Sequence, residues 1–207
     1  MRLILVRHAL PHRSSSEPGA VADPALTELG LHQAGRVAEA LTREAVDAIY
    51  VSPQLRARQT AEPLVRASGL EPTVAPGLAE FDAADRHYVP VHEMVEQDPA
   101  AWERLRAGYL PDYVDVEAFG DRVQRTFADI VAAHQGRSTV ACFAHAGTIN
   151  IWLARLLGIA RPLAFPLEYT SITRVGVSRD GRHAVRTVNE IGHVLDLLDP
   201  RTPVPTT

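Results

Sequence analysis

The chain has 207 residues, within the usual span of one domain and long enough to bury a sizeable core. Its 46% hydrophobic and 22% charged residues are ordinary for a globular protein and exclude a disordered or fibrous class. A net charge of -4 gives no reason to expect nucleic acid or an anionic membrane as partner. All basic residues are arginine, so any anion site built from side-chain cations must use guanidinium or imidazole, and a Schiff-base or P-loop lysine is excluded.

No stretch approaches the ~20 apolar residues needed to span a bilayer, and the opening MRLILVRHA is too short in apolar residues for a signal-peptide core. A cytoplasmic location is expected. The lone cysteine, Cys142, excludes an intrachain disulfide framework and, within STVACFAH, reads as a small buried apolar residue.

In chain order, Leu3 to Val6 reads as a buried strand of a parallel sheet, and Pro11 to Pro24 as a loop. A helix follows from Thr27, which caps it, with Leu31, Ala34, Val37, Ala38 and Leu41 as its apolar stripe. AVDAIYVS returns to strand, and Pro53 suits the first turn of a second helix that Gly69 stops. Ala83 to Val116 breaks the alternation. It holds acidic residues, three prolines, Tyr88, Trp102, Tyr109 and Tyr113, and reads as an inserted lobe whose aromatics form its own small core. A helix is predicted from Ala118 to His134, a strand over STVACFA, and a helix from Thr148 to Leu157. Two closing strands, SITRVGVS and HAVRTVNE, are joined by an Asp180-Gly181 hairpin, and the tail TPVPTT reads as disordered. The pattern predicts a three-layer α/β/α sandwich with a mostly parallel central sheet, one domain over 1–207 with an inserted lobe at about 83–116.

Ligands of such sheets bind outside the carboxyl ends of the strands. The first strand delivers Arg7 and His8 there, the second leads through Ser52 to Arg56, and STVACFAHAG delivers His145. Guanidinium forks grip phosphate oxygens, and imidazole can attack phosphorus, so this rim points to a small phosphorylated substrate. Arg58 lies about 200° around the helix from Arg56, so only one of them faces the rim. No metal or cofactor is expected, because His8 and His12 are interrupted by Pro11 and no carboxylate or cysteine stands at ligand spacing. The seven histidines other than His8 and His145, namely His12, His32, His87, His92, His134, His183 and His193, read as structural, with His193 placed to support the sheet. The sequence leaves a homodimer open.

The blocks LVRHALP, DPALTELGLHQA, SPQLRARQTA, LAE, FAHAGTI, SIT and NEIGH, in that order, resemble the histidine phosphatase (phosphoglycerate mutase-like) superfamily over nearly the whole chain. The resemblance implies that His8 is the nucleophile, that Arg7, Arg56 and His145 hold the phosphate, and that Glu80 is the general acid and later the base. Ala9 and Ala146 stand where the family favours glycine. Ser14 stands where the mutase-type pattern carries a phosphate-binding asparagine, a role that Ser14, His12 or Arg13 could take. The acidic block, EFDAADRHYVP, departs from the family and leaves Asp82 and Asp85 as rivals to Glu80. The expected activity is metal-independent phosphomonoester hydrolysis through phosphohistidine. The alternatives are a phosphomutase, disfavoured by a lobe whose fixed cations are Arg86, Arg104 and Arg106 alone, and a non-catalytic phospholigand-binding module.

Overall fold

A computed structural model describes residues 1–91, 93–134 and 136–198. His92 and the TPVPTT tail lie outside the described residues. Six strands form one sheet in the order β4-β3-β6-β1-β7-β8: β1 (Arg2–Arg7), β3 (Ala48–Val51), β4 (Thr73–Val74), β6 (Thr139–Ala144), β7 (Ile172–Val177) and β8 (His183–Glu190). The first four run parallel, while β7 pairs antiparallel with both β1 and β8. A separate two-stranded ribbon joins β2 (Ser14–Ser15) to β5 (His87–Tyr88).

Both faces of the sheet are covered, and the two-residue period of the central strands shows how. Leu3 and Leu5 of β1, with Val140, Cys142 and Ala144 of β6, pack on one side against α5 (Val116–Ala133) and α6 (Ala146–Leu157). Ile4, Val6, Ala141 and Phe143 point the other way, toward α1 (Glu28–Thr42) and α2 (Leu55–Ser68). The three-layer α/β/α arrangement and mostly parallel sheet are therefore present.

Two local expectations need correction. Leu31 is 53% exposed, and the buried stripe of α1 is instead Gly30, Gln33, Ala34, Val37, Ala38 and Leu41. Ala34, Val37, Ala38 and Leu41 are buried as expected, and the first turn packs through Gly30, which meets the Leu10 carbonyl so closely that a Cβ there would lie 2.1 Å from its oxygen. Pro53 lies outside α2, which starts at Leu55 with its first amide donating to Asp23 Oδ1 at 2.7 Å. The Gln54 side chain, at the N-cap, instead serves the acidic segment described below. Thr27 does cap α1, its Oγ1 accepting from Gly30 N at 2.9 Å, and Gly69 ends α2 in the left-handed conformation at φ 70°.

Between a single 3-10 turn (Pro76–Leu78) and α5, the described residues form only β5, α3 (Met94–Gln97) and α4 (Pro99–Arg106). Its aromatics do not form a common core. Trp102 is buried, Tyr88 lies over Arg56, and Tyr109 and Tyr113 are exposed. Among the described residues no helix is long and apolar enough to cross a membrane.

Candidate active site

Three adjacent parallel strands end at one edge of the sheet. Arg7 N donates to Ser171 O, His8 N to Ala144 O and Ser52 N to Phe143 O, so the ends of β1 and β3 are fixed against their neighbours. His145 directly follows β6 and opens α6. Arg56 and Thr60 come from the first two turns of α2, and Thr60 Oγ1 accepts from Ala9 N at 2.9 Å. The small residue after His8 thus packs at 0% exposure while its amide stays paired.

His8 and His145 are buried with ring centroids 5.1 Å apart. His8 Nδ1 lies 2.8 Å from the Ala9 carbonyl, which can only accept, so Nδ1 carries the proton and Nε2 keeps its lone pair. His145 Nε2 is 2.7 Å from Ser52 Oγ. If the hydroxyl donates there, Nδ1 of His145 is left with a hydrogen to offer. Burial, followed by the guanidinium of Arg56, pushes both imidazoles well below the ordinary histidine range, which keeps them neutral.

Arg7 Nη1 donates to Leu167 O at 2.5 Å, and its guanidinium lies 3.9 Å above the Tyr169 ring. Arg56, only 1% exposed, donates through Nη2 to both oxygens of Asp82 at 2.7 and 2.9 Å, and lies 4.5 Å over the Tyr88 ring. Arg58, two residues on, is exposed. Among the described residues, five buried side-chain polar atoms find no hydrogen-bond partner: Arg7 Nε, Arg56 Nε and Nη1, His145 Nδ1 and Tyr169 Oη. All five belong to residues grouped around His8. Buried donors left unpaired cost about 1–3 kcal/mol each, so such a grouping marks a place made for an anion.

Glu80, at 7% exposure, lines the same cavity as Arg7, His8 and Arg56. Its Oε2 accepts from Gly147 N at 2.7 Å and its Oε1 from Phe81 N at 3.1 Å. Gly147 is needed for that approach, since a Cβ there would fall 2.5 Å from Glu80 Oε1. The Glu80 amide donates to Gln54 Oε1 at 2.8 Å, and Arg122 Nη1 holds the carbonyls of Gly77 and Ala79 at 2.9 Å. Burial, then the charge of Asp82, raises the Glu80 carboxyl to about 7, against the opposing pull of the two amides and Arg56.

The rival carboxylates are placed differently. Asp82 lines the same cavity, but its oxygens accept from Arg56 and Gln54. Asp85 accepts from Tyr113 Oη at 2.8 Å and lies away from the cavity. Ser14 does not line the cavity either. It pairs by backbone with Tyr88 and so sets the residue that covers Arg56. His193 Nε2 bonds the Thr170 carbonyl at 3.1 Å, and Thr170 N donates in turn to the carbonyls of Arg7 and His8. Tyr88, Tyr169, Gln54 and Arg122 carried no sequence signal, because their places depend on loops and on contacts distant along the chain.

Residues 3–190 match the model of the histidine phosphatase superfamily (branch 1). The chain belongs to this superfamily. Among relatives, it is 29% identical over 166 residues to phosphoserine phosphatase 1 of Hydrogenobacter thermophilus, covering 77% of each chain. It is 28% identical over 200 residues to the bifunctional protein Rv2228c of Mycobacterium tuberculosis, covering 93% of this chain but only 55% of that relative's length. In fold it is similar to the phosphoserine phosphatase H9A mutant of Entamoeba histolytica, with TM-score 0.73, 22% identity and coverage of 94% and 99% of the two chains.

Proposed function

We propose that the chain is a metal-independent phosphomonoester hydrolase that works through a phosphohistidine at His8. The observation that carries this reading is the set of unpartnered nitrogens of Arg7, Arg56 and His145 around an imidazole whose Nε2 lone pair is free. In the first step Nε2 of His8 attacks phosphorus, the bond to the ester oxygen breaks, and its electron pair leaves on that oxygen. Glu80, protonated in part near neutral pH, gives its proton to the departing alkoxide. The N–H groups of Arg7, Arg56 and His145 hold the equatorial oxygens as charge shifts among them.

In the second step the Glu80 carboxylate takes a proton from water as the water oxygen attacks phosphorus. The P–N bond breaks and its electron pair returns to Nε2, releasing phosphate. Return of the phosphoryl group to the substrate, as in a mutase, would require a second anionic end to be held, and of the two further arginines that line the cavity Arg106 is paired with Glu103 and Arg161 is exposed. The test is a panel of phosphate monoesters assayed in EDTA. Phosphate release at undiminished rate is expected; release that needs added divalent metal, or isomerised ester without free phosphate, would contradict the reading.

A further inference from the structure

Arg7, His8 and Arg56 of the anion-binding group line a cavity of about 240 Å³ that also carries a run of apolar side chains. Val89, Val91, Met94 and Trp102 contribute from the segment before α5, and Leu163 and Phe165 from the loop after α6. The cavity is continuous with Arg7, His8, Arg56 and Glu80, so whatever hangs from a phosphate bound there must lie against these side chains. The charged groups of the lining come in both signs: Asp82 is paired with Arg56, Arg106 with Glu103 at 2.8 Å, and Glu168 and the exposed Arg161 complete the set.

We infer that the substrate is the phosphate monoester of an apolar, uncharged alcohol, its alkyl or aryl body packed between the pre-α5 segment and the loop after α6. This rests on the phosphohydrolase reading and adds the chemical class of the leaving group to it. A phosphoglycerate or another small ester with a second anion would leave the apolar wall unfilled. An apolar body buries its surface instead, and each added methylene that reaches the wall should tighten binding roughly three- to fourfold until the cavity is full.

The experiment pairs two homologous series on the intact chain. Straight-chain alkyl phosphates from ethyl to octyl, together with 3-phosphoglycerate, are compared by kcat/KM, and the matching non-hydrolysable alkylphosphonates by calorimetric Kd. The expected result is a rise of roughly three- to fourfold per methylene in both series, levelling off for the longest members, with 3-phosphoglycerate below the plateau. Val91→Asn and Leu163→Asn should flatten both slopes; if either variant fails to fold, the wild-type series decides alone. Turnover that ignores chain length, or that favours 3-phosphoglycerate, would overturn the inference and leave the hydrolase standing. No turnover with a steep phosphonate series would remove the hydrolase and keep the apolar site. No turnover with a flat phosphonate series would remove both.

Discussion

At the floor of the cavity, Arg7 and His8 are each fixed by a backbone hydrogen bond at a strand end, whereas the wall residues Val89, Val91 and Met94 lie in or beside the two-residue β5 and the four-residue α3, the regular structure of that stretch among the described residues. The difference separates two tasks. Phosphoryl transfer needs donors held to within fractions of an ångström, which a sheet edge supplies, while the fit to an alcohol needs only shape and burial, which loops can vary. Asp82 and Tyr88 join the regions: they reside on the irregular segment, yet both touch Arg56 of the floor.

Glu80 offers the largest effect by which that division can be broken. Glu80→Gln should slow alkyl phosphates by roughly 10²–10⁴-fold, the usual worth of general acid catalysis, and p-nitrophenyl phosphate far less, because nitrophenolate needs little protonation. Single-turnover rates on both esters check it, with Asp82→Asn and Asp85→Asn alongside; equal losses for both leaving groups, or the selective loss in an aspartate variant, would take the role from Glu80. The pH profile carries the same information. The acid form of Glu80 dominates below about 7 and is lost as pH rises through that value, so alkyl-ester turnover by the wild type should fall on the alkaline side.

Arg56→Lys is next, with an expected cost of about 2–4 kcal/mol in transition-state stabilisation, since an ammonium cannot reproduce the fork. Arg58→Lys, at an exposed position, should leave kcat/KM within about twofold. Steady-state kinetics on one ester compares them, and the reverse order would undo the assignment of the floor.

The smallest expected effect concerns the joint between the regions. Asp82 raises the Glu80 carboxyl, so Asp82→Asn should move the alkaline limb of the pH profile to lower pH. A limb that stays fixed would mean that Asp82 does not act on Glu80 in the working enzyme.

The sequence reports on these regions unequally, for physical reasons. Strand ends, helix periodicity and the Asp180-Gly181 turn follow from local rules, so the sheet, its flanking helices and the positions of Arg7, His8, Arg56 and His145 were legible. Periodicity found Ala34, Val37, Ala38 and Leu41 of α1 but misled at Leu31, because the first turn packs through a close backbone contact at Gly30 that no periodicity encodes. The neighbours of Arg56 were hidden for another reason. Tyr88 reaches it only through a two-residue pairing with Ser14, more than 70 positions away in the chain, and Asp82 only because Gln54 and Arg122 hold the segment around Glu80. An aromatic-rich, proline-broken stretch could equally be read as a small core of its own.

In this mechanism the phosphoryl group passes through Nε2 of His8. The most direct test is rapid quench of wild type with a ³²P-labelled ester during turnover, followed by mapping of the labelled residue. The account predicts an acid-labile, base-stable phosphoryl group on His8 that is absent in His8→Ala, whose turnover should fall by about 10⁴-fold or more. Turnover with no labelled protein, or label on another residue, would contradict it.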